Sequence, residues 1–179
     1  MSDKLVFEQT IEGLFVRGLG ARMTPKLKDR LRAEGLDLDY TLHPAYSFEK
    51  WCRFVAIANE ELHGGALESG YQTLGERVVD GFRESFLGRA VFGVLKTIGP
   101  KRALYRLKQS FRAGNNYSEG TVTEVGTNQF EVWMNECGDI RHLTSGILLA
   151  GVRAAGAKDP RVTVKSFDAD GVTYSVSWG

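Results

Sequence analysis

At 179 residues, of which 42% are hydrophobic and 25% charged, the chain can bury a core of its own without disulfide or metal staples. Its 23 Lys and Arg against 22 Asp and Glu leave a formal charge of +1, which makes no overall case for nucleic acid, a membrane or an acidic partner. Two cysteines, Cys52 and Cys137, form no disulfide framework, and with no signal-like start and no apolar run of about 18 residues a cytoplasmic protein without a transmembrane segment is expected.

Residues 5–20 begin β-like and continue as an apolar run punctuated by Gly13, Gly18 and Gly20, so a short strand followed by a helical turn is expected. From Thr24 the signals sharpen. Thr24 can cap, Pro25 suits the first helical position, Leu27 and Leu31 share a face, and Gly35 stops a short surface helix. Residues 37–46 read as a linker in which Pro44 pushes His43 toward extended geometry. Ser47 then caps a helix to about residue 62, with Trp51, Phe54, Val55 and Ala58 as its buried stripe and Gly64-Gly65 as its end. A further helix over 66–80 carries Tyr71, Leu74 and Val78. The next, over 82–98, has Phe86, Ala90, Phe92, Gly93 and Leu95 and so few polar positions that it should be largely buried. Gly99-Pro100 breaks the chain before a helix over 100–112, with Leu104, Leu107 and Phe111 on one side and a basic opposite face.

After the turn cluster Gly114-Asn115-Asn116 the period becomes two. Strands over 121–125 and 129–134 flank the turn Gly126-Thr127-Asn128, and strands over 161–167 and 172–178 flank residues 168–171. Between the pairs lies a helix over 139–156. Leu143, Ile147 and Ala150, with Leu148, Gly151 and Ala154 beside them, give it a broad apolar face; Asp139 is placed at its N-cap or first turn, and Gly156 ends it with positive φ. Gly146 and Gly151 each cost a helix about 1 kcal/mol relative to alanine, which points to a close backbone or ligand approach, with close packing on a sheet as the plainer account. The class is α+β: one domain over 1–179, with a helical half over 1–114 packed on a mostly antiparallel ββαββ half over 115–179.

The chain carries little catalytic signal. His43, His63 and His142 have no partner at metal-ligand spacing, Glu60 and Glu61 point different ways on a helix, and neither cysteine has a sequence neighbour that would make it a nucleophile. Ser47 and Lys50 match S-x-x-K without its companion motifs, so Ser47 is read as a cap, and Gly18-Leu19-Gly20 lacks a dinucleotide setting. Over 83–112 eight basic residues face the single acid Glu84, a local excess of +7 that is either a solvated face or a site for an anion or acidic partner, with Arg102, Arg106 and Arg112 as candidates. No DNA-reading motif accompanies it. Trp51, Tyr71, Trp133 and Trp178 are the large aromatics expected against a core or a pocket wall.

The run EGLFVRGLG, the helix around Trp51, and then YQTLGERVVDGFRESFLGRA, LKTIGPKRAL, FRAGNNYSEG, WMNE and VTYSVSW resemble, in order and over nearly the whole chain, a paralogous family of unknown function abundant in myxobacteria. More distantly, HLTSGILLAGVRAAG with its terminal hairpin resembles the ligand-binding fold shared by heme nitric-oxide-binding domains, vinyl-reductase-type domains and TRAPP transport subunits. That resemblance implies a chamber between helices and sheet that holds a heme, a small molecule or an acyl chain. The heme proteins' Tyr-x-Ser-x-Arg motif is missing, Tyr105 and Ser110 having the wrong spacing, and Phe167, Asp168 and Val176 stand where zinc-binding cysteines would be, so no cofactor is expected. The resulting expectation is a non-enzymatic sensing module for an apolar small molecule or acyl chain, with Phe86, Phe92, Leu95, Trp133, Ile147 and Gly151 as pocket candidates. The alternative is a TRAPP-like interaction module, forming a homodimer or binding another protein; an enzyme on a small polar substrate ranks third.

Overall fold

A computed structural model describes residues 3–135 and 138–179; Cys137 and the side chain of Asp139, both given roles above, lie outside the described set. The expected caps form. Thr24 Oγ1 accepts from the Leu27 amide at 3.1 Å to start α2 (Pro25–Ala33), and Ser47 Oγ accepts from the Lys50 amide at 3.2 Å to start α3 (Phe48–His63), which ends on Gly64 at φ +61°. Strand β1 (Leu5–Phe7), ahead of α2, pairs antiparallel with β2 (Ala45–Ser47), which lies between α2 and α3. After β1 comes α1 (Glu8–Ile11), which runs straight into a π-helical stretch, Glu12–Gly18, longer than the single turn expected.

That widened stretch exists because α4 (Ser69–Glu84) lies against its backbone. A Cβ on Gly81 would come within 1.8 Å of the Gly13 carbonyl oxygen, and one on Gly18 within 2.3 Å of the Arg77 carbonyl oxygen. The chain in between coils more loosely and still closes the contact. Phe15, Trp51 and Phe54 fill the core beneath, in edge-to-face pairs with centroids 6.2 and 6.3 Å apart.

The second half is a four-stranded antiparallel sheet, ordered β3 (Gly120–Gly126), β4 (Gln129–Asn135), β6 (Gly171–Ser177), β5 (Arg161–Phe167). Register pairs Phe130 with Val176, Val132 with Tyr174 and Met134 with Val172, which puts six buried side chains on one face. Leu148, Leu149 and Val152 of α7 (Arg141–Ala154) cover that face. Helix α7 starts later than expected, after a 3-10 turn, and its N-cap residue Ile140 supplies no side-chain bond. It thus lies between the sheet and α4, in an α+β architecture.

Its three glycines serve three purposes. Gly146 meets α4: a Cβ there would stand 2.0 Å from the Gln72 carbonyl oxygen, and one on Gly75 of α4 would stand 2.0 Å from that of Leu143, so these helices cross backbone to backbone. The close approach is therefore to a helix and not to the sheet. Gly156, at φ +99°, terminates the helix. Gly151 meets nothing within 4 Å.

Burial of the apolar stretch 82–98 is the expectation the structure overturns. Ser85 Oγ accepts from the Gly88 amide at 2.9 Å and starts a separate helix, α5 (Phe86–Tyr105), which is kinked at Gly99 (φ 81°, ψ 168°) before Pro100 and followed by α6 (Leu107–Arg112). Phe86 is 85% exposed, and Leu87 and Val94 about half. The helix is apolar nearly all round, but only its Val91, Phe92, Leu95 and Ile98 side has a neighbour.

Candidate functional site

On that inner side of α5 the layers leave a cavity of about 180 Å³. Val91, Phe92 and Leu95 of α5 form one wall; Leu143, Ile147, Leu148 and Gly151 of α7 form the opposite one. Trp51, Val78 and Phe82 close it from the helical layer, and Leu107, Phe111 and Met134 from the sheet side. Gly151 is what opens it at α7, since any side chain there would project into empty space.

No Asp, Glu, Lys, Arg, His or Cys lines this cavity among the described residues. Its polar groups are few. Asn115 and Asn135 brace the loop ahead of β3: Asn115 Oδ1 accepts from the amides of Tyr117 (3.1 Å) and Ser118 (2.8 Å), and Asn135 Oδ1 accepts from the Glu119 amide at 2.7 Å. Ser118 and Thr144 are 4% and 5% exposed, and neither hydroxyl has a hydrogen-bond partner among the described residues.

The candidates named from sequence divide cleanly. Phe92, Leu95, Ile147 and Gly151 lie in the cavity wall. Phe86 does not, because it is on the outer side of α5; nor does Trp133, which alternation puts on the outer face of β4, against Gly171. Trp178 stacks on Phe130 with centroids 5.0 Å apart. Thr144 and Ser118 had no sequence signal, since an isolated hydroxyl looks the same whether capped, solvated or buried.

The basic segment also divides. Lys101 pairs with Glu124 of β3 at 2.7 Å, and Lys108 and Arg112 both reach Glu119. Lys108 first and Arg112 second hold the Glu119 carboxyl below the usual range. Arg112 also donates to the Asn116 carbonyl and, through Nε, to the Ser118 carbonyl at 2.8 Å, so it clamps the 116–119 loop and is no free anion site. Arg102 and Arg106 are exposed and have no carboxylate partner among the described residues.

Of the histidines, His43 packs edge-on to Tyr46. His63 and His142 are pushed below the ordinary imidazole range, first by burial and then by nearby arginines, Arg22 and Arg77 for the former and Arg141 for the latter. Half-buried Cys52 packs on the first core. Among the described residues no three His, Cys, Asp or Glu side chains gather into a metal-binding group, and no helix is long and apolar enough to cross a membrane.

The family described as "Protein of unknown function (DUF2378)" matches residues 4–179. The chain belongs to DUF2378. No curated protein matches it. Among solved structures, this DUF2378 chain is similar to an H-NOX protein from S. oneidensis in the Fe(II) ligation state (TM-score 0.74, 10% identity, 96% of this chain and 95% of that one). It is also similar to an oxygen-binding H-NOX domain related to soluble guanylate cyclases (TM-score 0.70, 12% identity, 96% and 94%) and to an Fe(II) unliganded H-NOX mutant from K. algicida (0.68, 12%, 97% and 96%). At these identities the likeness is one of fold.

Other structures of the same fold concern heme distortion, which raises the question whether this cavity suits a heme. An iron porphyrin needs an axial donor and groups to balance its carboxylates. Among the described residues the lining offers no histidine, thiolate or cation. Among those residues the conceivable iron donors are Met134 and Tyr117, and Met134 Sδ lies over Gly120 while the Tyr117 ring packs on Phe48 at 4.9 Å. The described lining residues do not fit the group.

Proposed function

We propose that this DUF2378 chain is a non-catalytic sensing module that takes an uncharged, largely apolar molecule, or the end of an acyl chain, into the cavity between α5 and α7. One observation carries the reading: a cavity of about 180 Å³ whose lining is mostly apolar and, among the described residues, includes no Asp, Glu, Lys, Arg, His or Cys. For scale, a dry apolar cavity of about 150 Å³ is enough to hold benzene. A charged group would be desolvated there without compensation, so the ligand's inner part is neutral. Ser118 and Thr144 offer it two hydrogen bonds, which favours a ligand with one hydroxyl or carbonyl on an apolar body. The same lining supports a role without catalysis and without heme.

Native mass spectrometry of the purified protein, followed by organic extraction, reads out a retained ligand. Benzene titration followed by the methyl resonances of Val91, Leu95, Ile147 and Leu148 reads out the empty cavity. Shifts confined to those methyls are expected. Unmoved methyls in a protein that also yields no extractable compound would refute the proposal.

A further inference from the structure

The outer face of α5 has a chemistry of its own. Of the nine exposed large hydrophobic side chains among the described residues, four (Phe86, Leu87, Val94 and Tyr105) are on this helix. From residue 86 to 98 it runs about 20 Å. Leu87 and Val94, seven apart, form an exposed apolar ridge along one edge of the outer face; Phe86 and Ala90 lie toward its middle, and Arg89 and Lys96, also seven apart, form a basic row along its other edge. Scattered apolar side chains need no explanation, but a continuous strip with a basic flank does.

The cations are available. Arg89 reaches only the Glu84 carbonyl oxygen, at 3.2 Å, Arg83 sits over the Phe92 ring at 5.7 Å, and Lys96 has no carboxylate partner among the described residues. Toward the N-terminus the nearest acids along the chain are Glu84 and the exposed Asp80; toward the C-terminus they are Glu119 and Glu124, which are already engaged by Lys108, Arg112 and Lys101. The excess of positive charge is thus local to this segment, in a chain whose total is +1.

We infer that this face docks on an anionic lipid surface, with α5 lying in the interface, Phe86, Leu87 and Val94 among the acyl carbons and Arg89 and Lys96 at the headgroup phosphates. Apolar residues beside a row of cations are what such a surface recognises. A second copy of the chain is disfavoured on the same charge, because it would set one strongly basic segment against another. Docking does not depend on what fills the cavity. It does bring the cavity within a helix diameter of the acyl region, since Val91, Phe92 and Leu95 on the opposite face of α5 line it.

The test is co-sedimentation of the full chain with vesicles of phosphatidylglycerol and phosphatidylcholine, against phosphatidylcholine alone, at about 50 mM and about 500 mM salt. Binding to the anionic vesicles that weakens with salt is expected. R89Q/K96Q should lower partitioning roughly thirty-fold, the product of two single-cation losses, and F86S/L87S roughly a hundred-fold or more. Both pairs are exposed, and circular dichroism confirms the fold. Equal binding to neutral vesicles, no binding by the native chain, or equal binding of soluble polyglutamate by the native and F86S/L87S proteins would overturn the inference. So would a native dimer that F86S/L87S dissociates, which would assign the face to a second copy.

Discussion

Substituting alanine for each interior glycine of α7 gives opposite outcomes five residues apart. At Gly151 the new methyl meets nothing within 4 Å, so the helix gains its propensity of about 1 kcal/mol and nothing opposes it. At Gly146 the same methyl would stand 2.0 Å from the Gln72 carbonyl oxygen, where 3.4 Å is ordinary contact, so α4 must retreat by 3.4 − 2.0 = 1.4 Å along its crossing. Overpacking of that kind costs about 1–3 kcal/mol, and a displaced backbone lies at the upper end. After the propensity gain is set against it, G146A should lose about 2 kcal/mol and G151A should gain about 1, a gap of about 3. For a chain of this size that is roughly 6–12 °C in Tm. Urea unfolding of ligand-stripped protein, comparing midpoints at unchanged slope, measures it. Enlarging the residue should then split stability from binding: G151L remains folded but excludes benzene. If G151A proved as damaging as G146A, Gly151 would not face open space and the account of the cavity would fail.

R112A should cost about 2–3 kcal/mol, because three acceptors in the 116–119 loop lose their donor, and R112K should recover little of it, since an ammonium cannot span them; urea midpoints check both. S47A should cost about 1 kcal/mol through the lost cap at Lys50, while K50A, which keeps the amide, should be near neutral in the same assay. Because folded His63 and His142 titrate below 6.5, their neutral forms favour the folded state, and the stability they contribute is complete above about pH 6.5 and lost as pH falls through their depressed values. Asp39, Glu61 and Glu119, held below the ordinary carboxylate values of 3.8, 4.5 and 4.5, lose their contributions only at lower pH, so between about pH 6.5 and 4.5 the double variant H63Q/H142Q should flatten the profile of Tm against pH. A native profile already flat in that window would count against the burial of both rings.

Much of the fold was legible because its signals are local. Thr24 and Ser47 mark helix starts by their own chemistry, and alternation through Phe130, Val132 and Met134 marks a sheet with one covered face. What could not be read depends on a partner elsewhere in the chain. Phe86 and Phe92 are identical letters in one apolar run, yet one is outside and the other in the cavity wall, because only one side of α5 has a neighbour. Gly146 and Gly151 differ for the same reason, as the carbonyl of Gln72 decides between them. Arg112 belongs with Arg102 and Arg106 by charge, and only the carbonyls of Asn116 and Ser118 set it apart. The π-helical stretch could not be anticipated, since its looser winding answers to the proximity of α4.

The crossing of α4 and α7 through Gly75 and Gly146 makes the two sides of the cavity mechanically unequal. Two backbones already in contact cannot approach further, and drawing them apart exposes a seam with no side chains to refill it. That wall is stiff. The facing wall, α5, meets α7 through side chains alone, Leu95 and Ala103 on Ala155 and Leu104 beside Leu148, Leu149 and Val152, so it is the wall with more room to shift. On the proposed reading a bulkier guest would press on α5 before it pressed on the α4–α7 crossing, on the helix that carries Phe86, Leu87 and Val94 on its other side.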